Sequence, residues 1–186
     1  MRLFIAIEIP DDIRVAYAAL LAEFRAIAPQ LKWVRAENLH VTLKFLGETP
    51  PAKLEAVLGA LAGVQSPEPV QLDFHGLGFF PNEKRPRVFW AGLEASANLK
   101  SLAAEIDQAT HCLGFPLQDR PFTPHMTLAR FQPPGVTPKL QEVIRAKQGH
   151  NFGTLTASHF HLIESKLKPT GAEYTTVQTF RFASEA

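Results

Sequence analysis

Hydrophobic and polar positions follow two different periods along the chain, and each change of period marks a new element. Residues 3–9 form a nearly continuous run of β-branched and aromatic side chains that stops at Pro10, which is typical of a buried strand. Residues 11–27 then place apolar side chains at steps of three and four, the spacing of one helix face. The same spacing predicts helices over residues 49–61 and 96–114.

Strands are predicted where apolar side chains alternate with polar ones or run together over a short distance. Besides the first, these segments are residues 32–35, 39–46, 70–80, 87–93, 125–131, 155–164 and 174–182. A last helix is predicted over residues 139–147. Strands and helices therefore mix along the whole chain, which predicts an α+β fold.

Two stretches of the chain follow the same plan. They are HVTLKFLGETPPAKLEAVL, which begins at His40, and HMTLARFQPPGVTPKLQEVI, which begins at His125 and holds one inserted residue. Both contain His-x-Thr-Leu, a nearby phenylalanine, two prolines and a helix that starts near Lys-Leu. A repeat of this length predicts an internal duplication. We therefore expect two pseudo-symmetric lobes, each an antiparallel sheet backed by helices, intertwined in a single domain over residues 1–186.

Composition narrows the classes of partner and compartment. Hydrophobic residues make up 46% of the chain and charged residues 20%, with a net charge of +1, so no dense basic face for a long nucleic acid duplex is expected. Cys112 is the single cysteine, which excludes an intramolecular disulfide and favours a reducing compartment. No apolar run has signal-peptide or membrane-helix character. A cytoplasmic, soluble monomer without a membrane partner is expected.

The first motif places its polar side chains on one face of a strand. Because side chains at i and i+2 share a face, His40 and Thr42 point the same way and Val41 points to the other side. Lys44 falls on the His40 face by the same rule. It is therefore a candidate substrate contact.

The second motif repeats this arrangement with His125 and Thr127. Arg130 lies five residues after His125, so a regular strand turns it to the opposite face. A twist or bulge at the strand end would bring Arg130 back to the polar face.

Two imidazoles and two hydroxyls around one cleft suit the chemistry of a phosphodiester. Unperturbed histidine titrates near neutral pH, so one ring can accept a proton from water while the other donates one to the leaving oxygen. The hydroxyls would donate to the non-bridging phosphate oxygens. A strained five-membered cyclic phosphate requires no metal, so neither a metal nor a cofactor is expected. The sequence does not determine which histidine is the acid.

Five segments of the chain resemble a known family: RLFIAIEIPDDIR, NLHVTLKFLGE, RPRVFW, RPFTPHMTLAR and HLIESKL. The family is that of the RNA 2′,3′-cyclic phosphodiesterases, historically called 2′-5′ RNA ligases, within the 2H phosphoesterase superfamily. The resemblance covers nearly the whole chain. It implies a bilobal α+β fold with the active site in the groove between the lobes. It also implies metal-independent opening of RNA 2′,3′-cyclic phosphate ends to 2′-phosphates, with weak 2′-5′ ligation as the reverse reaction.

The resemblance also carries roles onto individual residues. It implies that His40 and His125 are the acid–base pair and that Thr42 and Thr127 hold the phosphate. Arg130 stands where family members often have a basic residue, so it is a further candidate for substrate binding. RNA with a cyclic phosphate end is the implied partner, and tRNA fragments are one candidate source of such ends.

Other functions also fit the sequence. One is a phosphodiesterase that acts on a small cyclic nucleotide of the ADP-ribose cyclic phosphate type. Another is a protein that binds RNA ends or tRNA without turnover and uses the same cleft as a phosphate clamp. A substrate panel separates the first from the RNA enzyme, and the intact histidine pair argues against the second.

Several side chains fit both a functional and a structural interpretation. His159 with His161, and Asp73 with His75, have spacings compatible with metal ligation, but strand alternation explains both pairs and a third ligand is not apparent. A nucleobase could stack on an aromatic ring near the cleft, and the candidates are Trp33, Phe45 and Phe80, although a core position is favoured for each.

Overall fold

A computed structural model describes residues 1–132, 136–169 and 171–182, in which two antiparallel sheets and four α-helices confirm the predicted α+β class. The strands are β1 (Arg2–Glu8), β2 (Lys32–Trp33), β3 (His40–Glu48), β4 (Val70–Phe80), β5 (Val88–Ala95), β6 (His125–Arg130), β7 (Asn151–Ala157), β8 (His159–Lys168) and β9 (Gly171–Arg181). The helices are α1 (Asp11–Ile27), α2 (Leu54–Ala62), α3 (Asn98–His111) and α4 (Pro138–Ala146).

The two sheets each contain one of the repeated motifs. The first has the strand order β3-β1-β8-β9 and the second the order β2-β6-β5-β4-β7. Helix α3 packs against β3 with α2 beside it, whereas α1 packs against β7 with α4 beside it. One sheet with its helices forms each lobe, in agreement with the bilobal prediction.

The chain passes repeatedly between the lobes. Strand β1 belongs to the first sheet, but the helix that follows it packs on the second, and α3 makes the reverse crossing after β5. One face of α1 enters the core through a stripe at helical spacing, which consists of Ile13, Tyr17, Leu20, Leu21 and Phe24. These crossings support the prediction of one domain of two intertwined lobes, which stays a prediction for residues 1–186 as a whole.

The prediction of a single strand over residues 155–164 is wrong. Two strands occupy this region, β7 and β8, separated at Ser158. Strand β7 pairs with β4 in the second sheet, whereas β8 pairs with β1 in the first. Apolar and polar residues alternate in both strands, but the apolar positions shift from Leu155 and Ala157 to Phe160 and Leu162, so a single regular strand does not fit both.

The region after the first motif begins with a short 3₁₀ turn, Pro51–Lys53, before α2 starts. In the second copy, Pro133 and Pro134 of the repeated segment lie outside the described residues. Within the described part of the chain, no helix is long and apolar enough to cross a membrane.

Both motif strands carry an irregularity one residue after the threonine. In β3 the partners of Ala6 and Ile5 are Thr42 and Lys44, which leaves Leu43 as an extra residue. In β6 the pairing with β5 likewise shifts after Thr127. A bulge of this kind changes which face the following side chains occupy.

Candidate active site

His40 is the first residue of β3, and its ring orientation is fixed on two sides. The ring packs against Phe4 at 4.7 Å and against Tyr174 at 5.4 Å between centroids. Its Nδ1 lies 2.7 Å from the carbonyl oxygen of Asn38. Because a carbonyl can only accept, Nδ1 carries a hydrogen and donates it. Nε2 is therefore the nitrogen left for a ligand.

His125 has an equivalent setting at the start of β6. Its Nδ1 lies 2.8 Å from the carbonyl oxygen of Thr123, again two residues earlier in the chain. The ring meets the edge of Phe80 with centroids 5.0 Å apart. Nε2 of His125 is thus also available to a ligand. Both histidines therefore donate Nδ1–H to a backbone carbonyl and present Nε2 to the same space.

The environment of His40 favours its neutral form. Burial lowers the pKa of His40, and the charges of Arg130 and His125 lower it further. The hydrogen bond to the Asn38 carbonyl and the carboxylate of Glu8 act in the opposite direction, without reversing the net shift. Arg130 and His125 belong to the second lobe and His40 to the first, yet their charges lower the pKa of His40. The structure therefore brings the two motifs together.

Thr42 and Thr127 share the faces of their respective histidines, as strand alternation predicts. Both residues are half-buried, while Val41 and Met126 beside them are fully buried in the core. Among the described residues, neither hydroxyl has a protein hydrogen-bond partner. Both hydroxyls can therefore donate to a bound molecule.

Lys44 does not lie on the face of His40, and the interpretation that it does is wrong. The bulge in β3 turns Lys44 toward α3, where it is 3% exposed and donates to the Asp107 carboxylate and, at 3.0 Å, to the carbonyl oxygen of Pro116. Asp107 also accepts from the backbone N–H of Gln118. Lys44 thus joins α3 and the following loop to β3 and does not face the candidate site.

The bulge in β6 has the opposite consequence for Arg130, because it brings this side chain back to the His125 face. Arg130 is exposed and lowers the pKa of both His40 and Tyr174, although burial leaves the pKa of Tyr174 raised overall. In the first motif the equivalent position holds Phe45, which is 61% exposed and lies 6.0 Å from the ring of Phe4.

The surface between the two motifs, which carries His40, Thr42, His125 and Thr127 and is called the groove below, has aromatic side chains on its His125 side. Trp90 is the partner of Thr127 and of Gly78 in the second sheet, so it lies on the motif face. Its ring covers Gly78 so closely that a Cβ there would lie 2.3 Å from Cζ2 of the indole. Phe80 packs on Trp90 at 5.2 Å. Trp33, in contrast, packs on core aromatics and donates its Nε1–H to the Ala28 carbonyl.

Three residues of this site were not singled out from the sequence: Glu8, Trp90 and Tyr174. Glu8 is the strand partner of His40 and accepts a hydrogen bond from Thr176 at 2.9 Å. Only the pairing of distant segments brings these residues to the motifs, so no local pattern signals them. A cavity of about 450 Å³ opens beside His40, and its lining includes Glu8, Asn38 and Tyr174.

The other histidine pairs do not form a cluster of metal ligands. His159 and His161 lie on the first sheet with ring centroids 4.8 Å apart, and Nδ1 of His161 is 3.0 Å from the Thr179 hydroxyl. His75 meets Glu94 at 3.4 Å. Within residues 1–132, 136–169 and 171–182, no group of three or more His, Cys, Asp or Glu residues is placed to hold a metal ion.

The sequence matches a family model described as LigT like Phosphoesterase over residues 7–90 and 93–174. Three relatives are called RNA 2′,3′-cyclic phosphodiesterase. The protein from Archaeoglobus fulgidus is 34% identical over 97% of this chain and 99% of its own length, and that from Methanocaldococcus jannaschii is 35% identical over 96% and 99%. The protein from Thermus thermophilus is 35% identical over 100% of this chain and 92% of its own length.

Solved structures show the same arrangement of elements. The crystal structure of TT0787 of Thermus thermophilus superposes with a TM-score of 0.82 and 31% identity over the full length of both chains. The structure of E. coli LigT complexed with 3′-AMP superposes with a TM-score of 0.78 and 27% identity over 98% of each chain. These matches confirm the resemblance inferred from the motifs, and the chain belongs to the LigT-like phosphoesterase family of the 2H type.

Proposed function

We propose that this protein hydrolyses the 2′,3′-cyclic phosphate at the end of an RNA to a 2′-phosphomonoester. One observation carries the proposal: two His-x-Thr motifs from different lobes meet, and each presents a histidine Nε2 and an unpartnered hydroxyl. The name RNA 2′,3′-cyclic phosphodiesterase, which relatives along the whole chain bear, supports the choice of substrate.

In the reaction we propose, His40 is the general base and His125 the general acid. Nε2 of His40 accepts a proton from water while the water oxygen forms a bond to phosphorus. The bond from phosphorus to O3′ breaks, and Nε2–H of His125 gives its proton to O3′, so the phosphate stays on O2′. The lowered pKa of His40 supports this assignment because a base must be neutral at the start.

Thr42, Thr127 and Arg130 bind the non-bridging oxygens in this scheme. Their hydroxyls and guanidinium require no reorganisation if the strands hold them in place, so they stabilise the charge that develops in the transition state. Loss of one preorganised donor lowers kcat by about 10²–10³-fold in well-studied acyl-transfer sites, which gives a scale for each threonine.

The cavity beside His40 accommodates the terminal nucleoside in this proposal. Its volume of about 450 Å³ lies in the range typical of small-molecule sites. The side chains of Asn38 and Glu37 and the ring of Tyr174 line it, which offers hydrogen-bonding groups and one aromatic surface to a base. We also propose that the enzyme acts without metal or cofactor, as a cytoplasmic monomer. Weak 2′-5′ ligation would follow the same scheme when the 5′-hydroxyl of a second RNA replaces water: its oxygen forms the bond to phosphorus, its proton goes to His40, and O3′ leaves with the proton of His125. Cleavage of the 2′-5′ diester back to the cyclic phosphate is the reverse of that ligation.

Alanine variants of the two histidines test the acid–base pair. His40→Ala and His125→Ala are each expected to lower kcat on a cyclic-phosphate oligoribonucleotide by at least about 10²-fold, the lower range for general acid–base catalysis. His111→Ala, on the exposed surface of α3, is the matched control. A folded His125→Ala protein with full activity would contradict the assignment of His125 as the acid.

A panel of substrates tests the alternative function. Ranking a cyclic-phosphate oligoribonucleotide and ADP-ribose cyclic phosphate by kcat/KM shows which of the two the enzyme prefers.

A further inference from the structure

Lys32 lies directly opposite Arg130 in the pairing of β2 with β6. The next residue, Trp33, packs on Phe24 and Phe89 in the core. Since neighbouring side chains on a strand alternate, Lys32 points to the other face. Lys32 and Arg130 are paired residues and share this face. The charge of Arg130 lowers the pKa of His40, so this face lies near His40. Lys32 is therefore a basic side chain at the edge of the catalytic groove.

The pair of Lys32 and Arg130 carries charge that the surrounding protein does not balance. Both residues are exposed, and within residues 1–132, 136–169 and 171–182 neither has a carboxylate at ion-pairing distance. In contrast, Lys168, which lines the cavity beside His40, pairs with Glu173, and the buried Lys44 pairs with Asp107. Like charges directly opposite each other on adjacent strands are unfavourable. An anion bound between Lys32 and Arg130 would replace this repulsion with attraction to both side chains.

We propose that Lys32 binds the phosphate on the 5′ side of the terminal nucleotide, while Arg130 holds the cyclic phosphate. This inference rests on the proposed function. Directly opposite residues on paired strands have Cβ atoms about 4.5–5.5 Å apart, so two long cations there can reach two successive phosphates of one strand. The pair thus distinguishes an RNA end, which has this second phosphate, from a cyclic mononucleoside phosphate, which lacks it.

Two small substrates isolate the contact: adenosine 2′,3′-cyclic phosphate and the same compound with a 5′-phosphate. The wild-type enzyme should prefer the 5′-phosphorylated compound. Lys32→Ala should lower the ratio of the two kcat/KM values by about tenfold, the scale for losing a hydrogen bond to a charged group. Lys32→Arg should keep most of the ratio. Lys139→Ala, an exposed lysine on α4, is the matched control and should keep all of it.

Salt dependence gives a second measurement on a cyclic-phosphate oligoribonucleotide. The slope of log kcat/KM against log salt concentration should become shallower by about 0.7 in Lys32→Ala, the value for one phosphate contact on a single strand. Lys139→Ala should leave the slope as it is in the wild type. If Lys32→Ala does not show a cooperative thermal transition and is therefore not folded, Lys32→Gln is used in both measurements instead.

The outcomes separate this inference from the proposed function. A ratio in Lys32→Ala and Lys32→Gln that equals that of the wild type, with an unchanged salt slope, overturns the role of Lys32 while the hydrolysis stands. A wild-type enzyme that hydrolyses neither compound nor the oligoribonucleotide overturns the proposed function itself. A lower ratio with a shallower slope supports Lys32 as the ligand of the second phosphate.

Discussion

The ring orientation of each motif histidine depends on a backbone carbonyl two residues earlier in the chain. The carbonyl oxygens of Asn38 and Thr123 accept the Nδ1–H of His40 and His125, so both rings keep Nε2 for the substrate. The surroundings of the two rings nevertheless differ. His40 packs between two aromatic rings and has a lowered pKa, with Glu8 as a nearby carboxylate that opposes the shift. This difference supports our proposal that His40 is the general base and His125 the general acid.

The acid limb of the pH profile tests the base. The pKa of His40 lies below its ordinary value of 6.5, so kcat/KM should stay high below pH 6.5 and fall only as His40 becomes protonated. The Glu8 carboxylate raises the pKa of His40, so Glu8→Gln should move the acid limb to lower pH. Glu55→Gln, exposed on α2, is the control. A limb that moves to higher pH in Glu8→Gln contradicts the assignment.

Gly78 supports the floor of the groove because only a residue without a Cβ leaves room for the Trp90 ring. Gly78→Ala should displace the indole, lower the free energy of unfolding by about 1–3 kcal/mol and reduce activity on cyclic-phosphate RNA. Denaturant unfolding and steady-state kinetics measure the two effects. Gly59→Ala in α2 is the control, since a Cβ there meets no atom within 4 Å. Equal behaviour of the two variants would show that the indole position is unimportant.

At the scale of elements, two bulges determine which side chains reach the groove. The hydrophobic pattern predicts β3 and β6, and strand alternation correctly places the histidine and threonine of each motif on one face. Alternation gives the wrong face for Lys44, and a regular β6 would do the same for Arg130, because each strand gains one extra residue after the threonine. A bulge depends on pairing with a neighbouring strand, which no local pattern contains.

The same bulge turns Lys44 into a structural residue, which makes a prediction about stability. Lys44→Met leaves Asp107, whose side chain is 15% exposed, without its cation, and should lower the free energy of unfolding by about 3–5 kcal/mol. Lys44→Met combined with Asp107→Leu should recover most of that loss, because no unpaired charge remains. Denaturant unfolding measures both variants. If Lys44→Met keeps the stability of the wild type but lowers kcat/KM, Lys44 contacts the substrate and its structural role is contradicted.

At the scale of the molecule, the chain passes repeatedly between the two lobes, and each lobe contributes one His-x-Thr motif to the candidate site. The repeat predicts two lobes, and the motif resemblance predicts the family that the whole-chain matches confirm. The crossing from β7 to β8 was missed because both strands alternate apolar with polar residues, and only the one-residue shift in that alternation at Ser158 marks the boundary. Glu8 and Tyr174 reach His40 only through strand pairing and the approach of β9, so their contribution appears only in the fold.

Identification of the product is the most direct test of the account. An oligoribonucleotide with a 2′,3′-cyclic phosphate end, incubated with the enzyme in excess EDTA, should be converted at the full rate to a single product with a 2′-phosphate. Phosphorus NMR or chromatography against authentic 2′- and 3′-phosphate standards separates the two isomers. A 3′-phosphate product would contradict proton donation to O3′, and strict dependence on added metal would contradict catalysis by the two histidines alone.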